Sequence, residues 1–148
     1  MIWKPHVTVA AVIERAGEFL LVEEETDEGV RFNQPAGHLE CRESLCAAVR
    51  REVLEETGYD FVPGALVGVY NWRNEAKDIT YLRFAFAGEI SGHDAARQLD
   101  DGIIAARWMS LPAIRALADR HRSPLILRCI DDWLAGRRFP LDLLVHFS

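Results

Sequence analysis

A group of acidic side chains with helical spacing is the part of this sequence most able to do chemistry. Glu52, Glu55 and Glu56 stand at positions i, i+3 and i+4, within an arc of about 100° on a helix. Carboxylates this close repel one another by roughly a few tenths of a kcal/mol per pair. Divalent cations that prefer oxygen ligands reverse that repulsion. The cluster predicts a metal site; the ordinary alternative is a solvated helix face on which Arg51 pairs with Glu55.

The helix that would carry these carboxylates is predicted over residues 43–57. Leu45, Val49 and Val53 recur at four-residue spacing, which is typical of a stripe that packs against a sheet. Gly58 follows where a helix is expected to end.

Two residues near this helix favour the metal site over the solvated face. Gly37 closes a Pro-Ala-Gly turn, where a bare backbone carbonyl could approach the same ion. Arg51 can brace the carboxylates with a forked hydrogen bond and fix their rotamers before a metal binds.

The rest of the chain predicts one α+β domain over residues 1–148. Residues 23–29 are predicted to form an acidic loop, because they are rich in Glu and include Asp27 and Gly29. Runs of apolar and β-branched residues predict strands, and two prolines each open a predicted helix. The strands are predicted at 7–13, 18–22, 61–72, 79–90 and 103–109, and the later helices at 112–118 and 124–134.

Composition narrows the partners and the compartment. The 148 residues carry a net charge of −6, which argues against duplex nucleic acid because phosphate backbones are bound by basic surfaces. No stretch approaches the roughly 20 apolar residues of a membrane span. Cys41, Cys46 and Cys129 form neither a C-x-x-C pair nor an even disulfide set, so we expect a cytoplasmic protein. Whether it is a monomer or a homodimer is left open.

Residues 37–59 resemble a Nudix box, whose pattern is G-x5-E-x7-R-E-U-x-E-E-x-G-U with U a bulky apolar residue. Short stretches at 5–10, 33–40, 82–84, 122–125 and 138–141 are similar to the bacterial NudJ-type Nudix phosphatases, so the resemblance covers nearly the whole chain. The box positions are filled by Gly37, Glu43, Arg51, Glu52, Val53, Glu55, Glu56, Gly58 and, as the one loose match, Tyr59.

The resemblance implies a Nudix fold, with a mixed β-sheet sandwiched between helices, and hydrolysis of phosphoanhydride bonds. It implies Mg²⁺ or Mn²⁺ as the cofactor. The implied metal ligands are the Gly37 carbonyl, Glu52, Glu55 and Glu56. The three glutamates are also the implied catalytic residues, together with Arg51 and Glu43, which would orient the ligands.

By the same resemblance, the substrates are nucleoside tri- and diphosphates or a thiamine-precursor pyrimidine pyrophosphate. Cleavage of nucleotide sugars or dinucleotides on the same fold is an alternative that the box leaves open. A ligand-sensing module without turnover is disfavoured, because such a module would be expected to have lost one or more of the carboxylates, and all three are present.

The sequence offers more than one candidate for the general base. Many Nudix enzymes use a carboxylate in the loop before the last strand, where this chain has Asp100 and Asp101. The alternative is a solvated Asp-Asp-Gly turn. In the common family arrangement an acidic residue lies slightly nearer the strand, where this chain has Gly102 and Ile104 instead. Glu56 or another box glutamate therefore stays open as the proton acceptor.

Side chains that could bind substrate lie outside the box. Phe32, Trp72 and Tyr81 could stack on a base or pyrimidine ring, or belong to the core. Arg83 stands between apolar neighbours in a predicted strand, which indicates a phosphate or carboxylate partner, with a structural ion pair as the alternative.

His6 and His38 flank the predicted site. Lone histidines are more often structural than metal ligands, and oxygen donors suit magnesium better than imidazole does. Zinc is therefore not expected. Arg122 precedes Ser123 and Pro124 at a predicted helix start, where either a hydroxyl cap or a bound anion would satisfy the backbone.

Overall fold

The computed structural model describes residues 1–147. Along the chain, five strands precede the first helix, three strands follow it, and two helices come after the last strand. Two short 3₁₀ turns lie at Ala118–Arg120 and Leu141–Leu143. The strands are β1 (His6–Val12), β2 (Glu14–Arg15), β3 (Glu18–Thr26), β4 (Gly29–Asn33), β5 (Ala36–His38), β6 (Tyr59–Asn74), β7 (Ile79–His93) and β8 (Ile103–Ser110), and the helices are α1 (Leu45–Thr57), α2 (Leu111–Ala116) and α3 (Leu125–Leu134).

The first sheet has the strand order β5-β1-β7-β6. It is mixed, because β1 is parallel to β7 while the other neighbours are antiparallel. Side chains alternate between its faces. Val9 and Phe86 pack with Val49 of α1 on one face, whereas Ala85 packs with Ile126 of α3 on the other. The predicted α+β arrangement of a mixed sheet between helices is confirmed.

The second sheet is centred on β3, which pairs antiparallel with β2, β4 and β8. The prediction of an acidic loop over 23–29 is wrong. Strand β3 continues to Thr26 and turns directly into β4. Glu24 is buried at 8% exposure, so the run of glutamates alternates between the two faces of a strand.

Local capping explains where α1 begins and ends. The Ser44 hydroxyl accepts the N–H of Ala47 at 3.1 Å, which starts the helix at Leu45 and not at the predicted Glu43. Gly58 has a φ of 78°, the left-handed conformation that only glycine adopts readily, and ends the helix as predicted. Residues 1–147 contain no helix whose length and hydropathy would let it span a bilayer.

Candidate active site

Three carboxylates converge where the loop before β8 meets α1. Oxygen atoms of Glu52, Glu55 and Asp100 all lie within 4.8 Å of one another. The loop is fixed in place because the Asp100 backbone N–H donates to the Glu55 carbonyl at 3.0 Å. Burial, and then the Asp100 carboxylate, raise the pKa of Glu55. The arrangement fits a hard divalent cation such as Mg²⁺ or Mn²⁺, which takes oxygen ligands and offsets the repulsion.

Arg51 forms hydrogen bonds with three of the box carboxylates. Its guanidinium forms a fork on Glu43, with Nε–Oε2 and Nη2–Oε1 distances of 2.7 and 3.0 Å. Its Nη1 donates to Glu52 Oε1 at 2.7 Å and, more weakly, to Glu55 Oε1 at 3.5 Å. The bond to Arg51 lowers the pKa of Glu43, whereas burial raises the pKa of Glu52 against the influence of Arg51. The carboxylates are therefore preorganised by protein contacts alone.

Glu56 is as buried as Glu52 but has a different hydrogen-bond partner. Its side chain is buried, with 7% of the residue exposed, and Oε1 accepts the Ala36 N–H at 2.9 Å. Burial raises the pKa of Glu56 from its ordinary 4.5 to about 9, opposed by that hydrogen bond. Without a cation nearby, the folded protein thus holds a proton on Glu56 at neutral pH.

A pH-dependent stability follows for the metal-free protein. Since the folded pKa of Glu56 is raised, its stabilising contribution is present below about pH 4.5 and is lost as pH rises toward 9. Glu56→Gln keeps the acceptor for Ala36 and removes the titration. In EDTA at pH 8, this variant should melt above the wild type by about 4 °C or more, and the gap should close near pH 5.

Thermal unfolding at both pH values, with and without magnesium, checks this expectation. Added magnesium should reverse the order, because only the carboxylate gains from the ion. A metal-free wild type that matches Glu56→Gln at pH 8 would show that Glu56 is ionised at no cost in the folded state.

Gly37 lies against the box helix. A Cβ atom built on Gly37 would overlap the Glu52 carboxylate, so only a residue without a side chain lets the Glu52 carboxylate lie this close to β5. Gly37 and Glu52 both line the cleft described next. The predicted metal role of the Gly37 carbonyl stays a prediction, and its position beside Glu52 is compatible with it.

A cleft of about 410 Å³ opens beside Gly37, Glu52 and Glu56. It runs over the first sheet toward Arg83, Tyr81 and Trp72, which also line it. The rings of Trp72 and Tyr81 stack with their centroids 5.8 Å apart and their planes at 16°. The cleft therefore contains both box carboxylates and a stacked aromatic pair.

The structure places the remaining predicted residues in different environments. Phe32 does not line the cleft; it is 5% exposed and packs in the apolar core with α3, which favours the alternative of a core residue over a substrate contact. Asp101 is exposed and lies outside the carboxylate cluster that includes Asp100. His38 lines the cleft and lies 3.3 Å from His6, ring nitrogen to ring nitrogen. The Ser123 hydroxyl accepts the Leu125 N–H at 3.1 Å.

Several cleft residues were not predicted from the sequence. Glu24 reaches the cleft from β3 and binds Arg122 at 2.7 Å. Lys77 and Asp27 pair across the mouth at 3.1 Å. A strand period in the glutamate run would have indicated Glu24, but no local pattern indicates contacts between residues this far apart in sequence.

Comparison with known proteins agrees with this site. The model of the NUDIX domain family matches residues 4–129. Phosphatase NudJ of Escherichia coli K12 is 40% identical over 147 residues, which cover 99% of this chain and 94% of NudJ.

Solved structures share the architecture. A NUDIX hydrolase from Nitrosomonas europaea is 50% identical with a TM-score of 0.95, covering 97% of this chain and 98% of that one. A UDP-X diphosphatase, 17% identical with a TM-score of 0.74, shares the fold over 95% of this chain and 68% of its own. Together with the carboxylate cluster on α1, these matches show that the chain belongs to the Nudix family and is a hydrolase that acts on phosphoanhydride bonds.

Proposed function

We propose that the protein hydrolyses phosphoanhydride bonds of nucleoside tri- and diphosphates, or of a thiamine-precursor pyrimidine pyrophosphate, with Mg²⁺ or Mn²⁺. The observation that carries this proposal is the convergence of Glu52, Glu55 and Asp100. Of these three, Glu52 lines a cleft with room for a small substrate, together with Gly37 and Glu56. The name of the 40% identical relative, Phosphatase NudJ, supports the release of phosphate.

The side chains would divide the work by position. Glu52, Glu55 and Glu56, with the Gly37 carbonyl, would hold the ions. Bound divalent ions supply positive charge to the pyrophosphate oxygens and lower the pKa of water. Arg51, braced on Glu43, keeps the ligands in place.

Asp100 is the proposed base. It lies beside Glu55 on a loop tied to α1, from which it can accept the proton of the attacking water. Hydrolysis by direct water attack needs no covalent intermediate on the protein, because the charge of the transition state is stabilised electrostatically.

A substrate panel in heavy-oxygen water tests the reaction. Nucleoside tri- and diphosphates, nucleotide sugars, dinucleotides and the pyrimidine pyrophosphate are incubated with magnesium, and products are identified by mass spectrometry. We expect free phosphate or pyrophosphate and one solvent oxygen on phosphorus per turnover. A phosphorylated protein that forms and decays during turnover would contradict direct attack.

The same panel distinguishes the proposed function from an alternative, which is the cleavage of nucleotide sugars or dinucleotides. One observation favours it: a second depression of about 530 Å³ adjoins the cleft at Trp72 and Asn74 and is lined by Pro124 and Leu127. That space could receive a second organic group. Faster turnover of nucleotide sugars or dinucleotides than of triphosphates would establish this alternative.

A further inference from the structure

Arg83 carries a buried charge that no carboxylate balances. The residue is 6% exposed on β7. Its Nη1 donates to Gln34 Oε1 at 2.9 Å and its Nη2 to Asn33 Oδ1 at 3.0 Å. Both partners are neutral amides, and within residues 1–147 Arg83 forms no salt bridge. The structural ion pair that the sequence left open is therefore absent from this part of the chain.

The guanidinium is held in a fixed orientation. Gln34 is 1% exposed, and its Nε2 donates to the Ile126 carbonyl at 2.8 Å, which leaves Oε1 directed at Arg83. A guanidinium has five N–H donors, of which the two amides take two. Arg83 borders the cleft beside Thr8, its neighbour across the β1–β7 pairing.

The environment of Arg83 differs from that of other cleft cations. Arg122 and Lys77 are paired with Glu24 and Asp27 respectively, so a carboxylate of the chain balances each charge. Arg31, which also lines the cleft, is only half-buried, so water can solvate its charge. A buried charge without a counter-ion is costly. An anionic ligand that enters the cleft would supply the missing charge and form charge-assisted hydrogen bonds.

The order of the strands indicates which phosphate of the substrate would lie beside Arg83. Gly37 is on β5, Arg83 two strands away on β7, and Trp72 on β6 at the far edge. Strands lie about 4.8 Å apart, so the backbone of Arg83 is roughly 10 Å from that of Gly37. From Gly37 across the sheet, the cleft thus offers the box carboxylates, then the Arg83 guanidinium, then the Trp72 ring. Tyr81 stacks on that ring from the strand that carries Arg83.

We infer that Arg83 binds the phosphate nearest to the organic group of the substrate, with that group against Trp72. The terminal phosphorus then faces Glu52, and the organic product, which is a monophosphate when the substrate is a diphosphate, keeps its contact with Arg83 after cleavage. This inference deepens the proposed function and rests on it. It assigns the direction of the substrate, which the carboxylates alone do not define.

Binding without metal tests the inference apart from turnover. In EDTA, calorimetry compares AMP with adenosine and CMP with cytidine, on the wild type and on Arg83→Gln. The phosphate should tighten wild-type binding by about 10-fold or more, and Arg83→Gln should remove most of that gain. Arg83→Lys keeps the charge without the fork and should fall between them.

Controls separate folding from recognition. Arg115→Gln removes an exposed arginine paired with Asp131 outside the cleft and should bind as the wild type does. Thermal melting confirms folding of each variant. If Arg83→Gln does not fold, Asn33→Ala, which removes one amide from the guanidinium, should still reduce the phosphate gain several-fold.

Two results would overturn the inference. One is a wild type that binds the monophosphates no better than the nucleosides. The other is a gain that persists in folded Arg83→Gln, or in Asn33→Ala where that variant replaces it. Hydrolysis by the wild type is measured separately, so an active enzyme without the phosphate gain refutes only the Arg83 site, whereas binding without any hydrolysis refutes the proposed function.

Discussion

Glu55→Gln and Glu56→Gln should each lower kcat by roughly 10²- to 10³-fold while the protein stays folded. Glutamine keeps the size and one acceptor oxygen of glutamate but loses the charge that a divalent cation requires. The reason is local: both residues belong to the box helix, where Glu55 meets Asp100 and Glu56 is buried against Ala36. Steady-state kinetics at saturating magnesium measure the loss.

The matched control for these variants is Glu89→Gln. Glu89 is an exposed glutamate on β7 that does not line the cleft, and its replacement should leave kcat within a factor of two or so. Binding of Mn²⁺, followed by electron paramagnetic resonance, should weaken in the box variants and not in the control. A Glu55→Gln/Glu56→Gln double variant with wild-type kcat would refute the proposed metal ligands.

Gly37→Ala should reduce kcat/KM by about 100-fold, although it changes only one methyl group. The added Cβ would overlap the Glu52 carboxylate, so either β5 or Glu52 must move away from the position that Arg51 holds. A displacement of about 1 Å at a catalytic group is enough for a loss of this size. Kinetics and Mn²⁺ affinity should decline together.

Gly64→Ala provides the comparison. At Gly64 the nearest atom to an added Cβ is 3.9 Å away, an ordinary van der Waals contact, so this variant should keep both activity and metal affinity. If Gly37→Ala retained the wild-type kcat/KM, the close approach of β5 to Glu52 would be unimportant for function.

The box helix could be predicted from sequence because every signal for it is local. The spacing of Leu45, Val49 and Val53 defines the buried face, and Gly58 ends the helix within the same stretch. Only the start was displaced, since the Ser44 cap excludes Glu43 from the helix. Glu43 instead binds Arg51 from the preceding turn.

The features that could not be predicted share a different origin, contacts between distant parts of the chain. Charge made 23–29 resemble a loop, yet Glu24 is buried in β3 because Arg122, 98 positions away, neutralises it. Phe32 is a core residue because α3 packs over it. No sequence pattern near Phe32 indicates that packing.

Arg83 lies between these two cases. Its unusual place in an apolar strand was visible from the sequence, which left a phosphate and an ion pair as alternatives. The choice needed Gln34 and Asn33, which meet Arg83 from 49 and 50 positions away. For Asp100 and Asp101, likewise, only the fold shows that Asp100 alone of the two joins Glu52 and Glu55.

The position of the ion tests the central claim most directly. A crystal structure with Mn²⁺ and a non-hydrolysable substrate analogue, with anomalous scattering to locate the metal, gives that position. We expect manganese to be bound by oxygen atoms of Glu52 and at least one of Glu55 and Glu56, with the terminal phosphate of the analogue beside it. Manganese bound elsewhere, with these carboxylates turned into bulk solvent, would contradict the proposed mechanism.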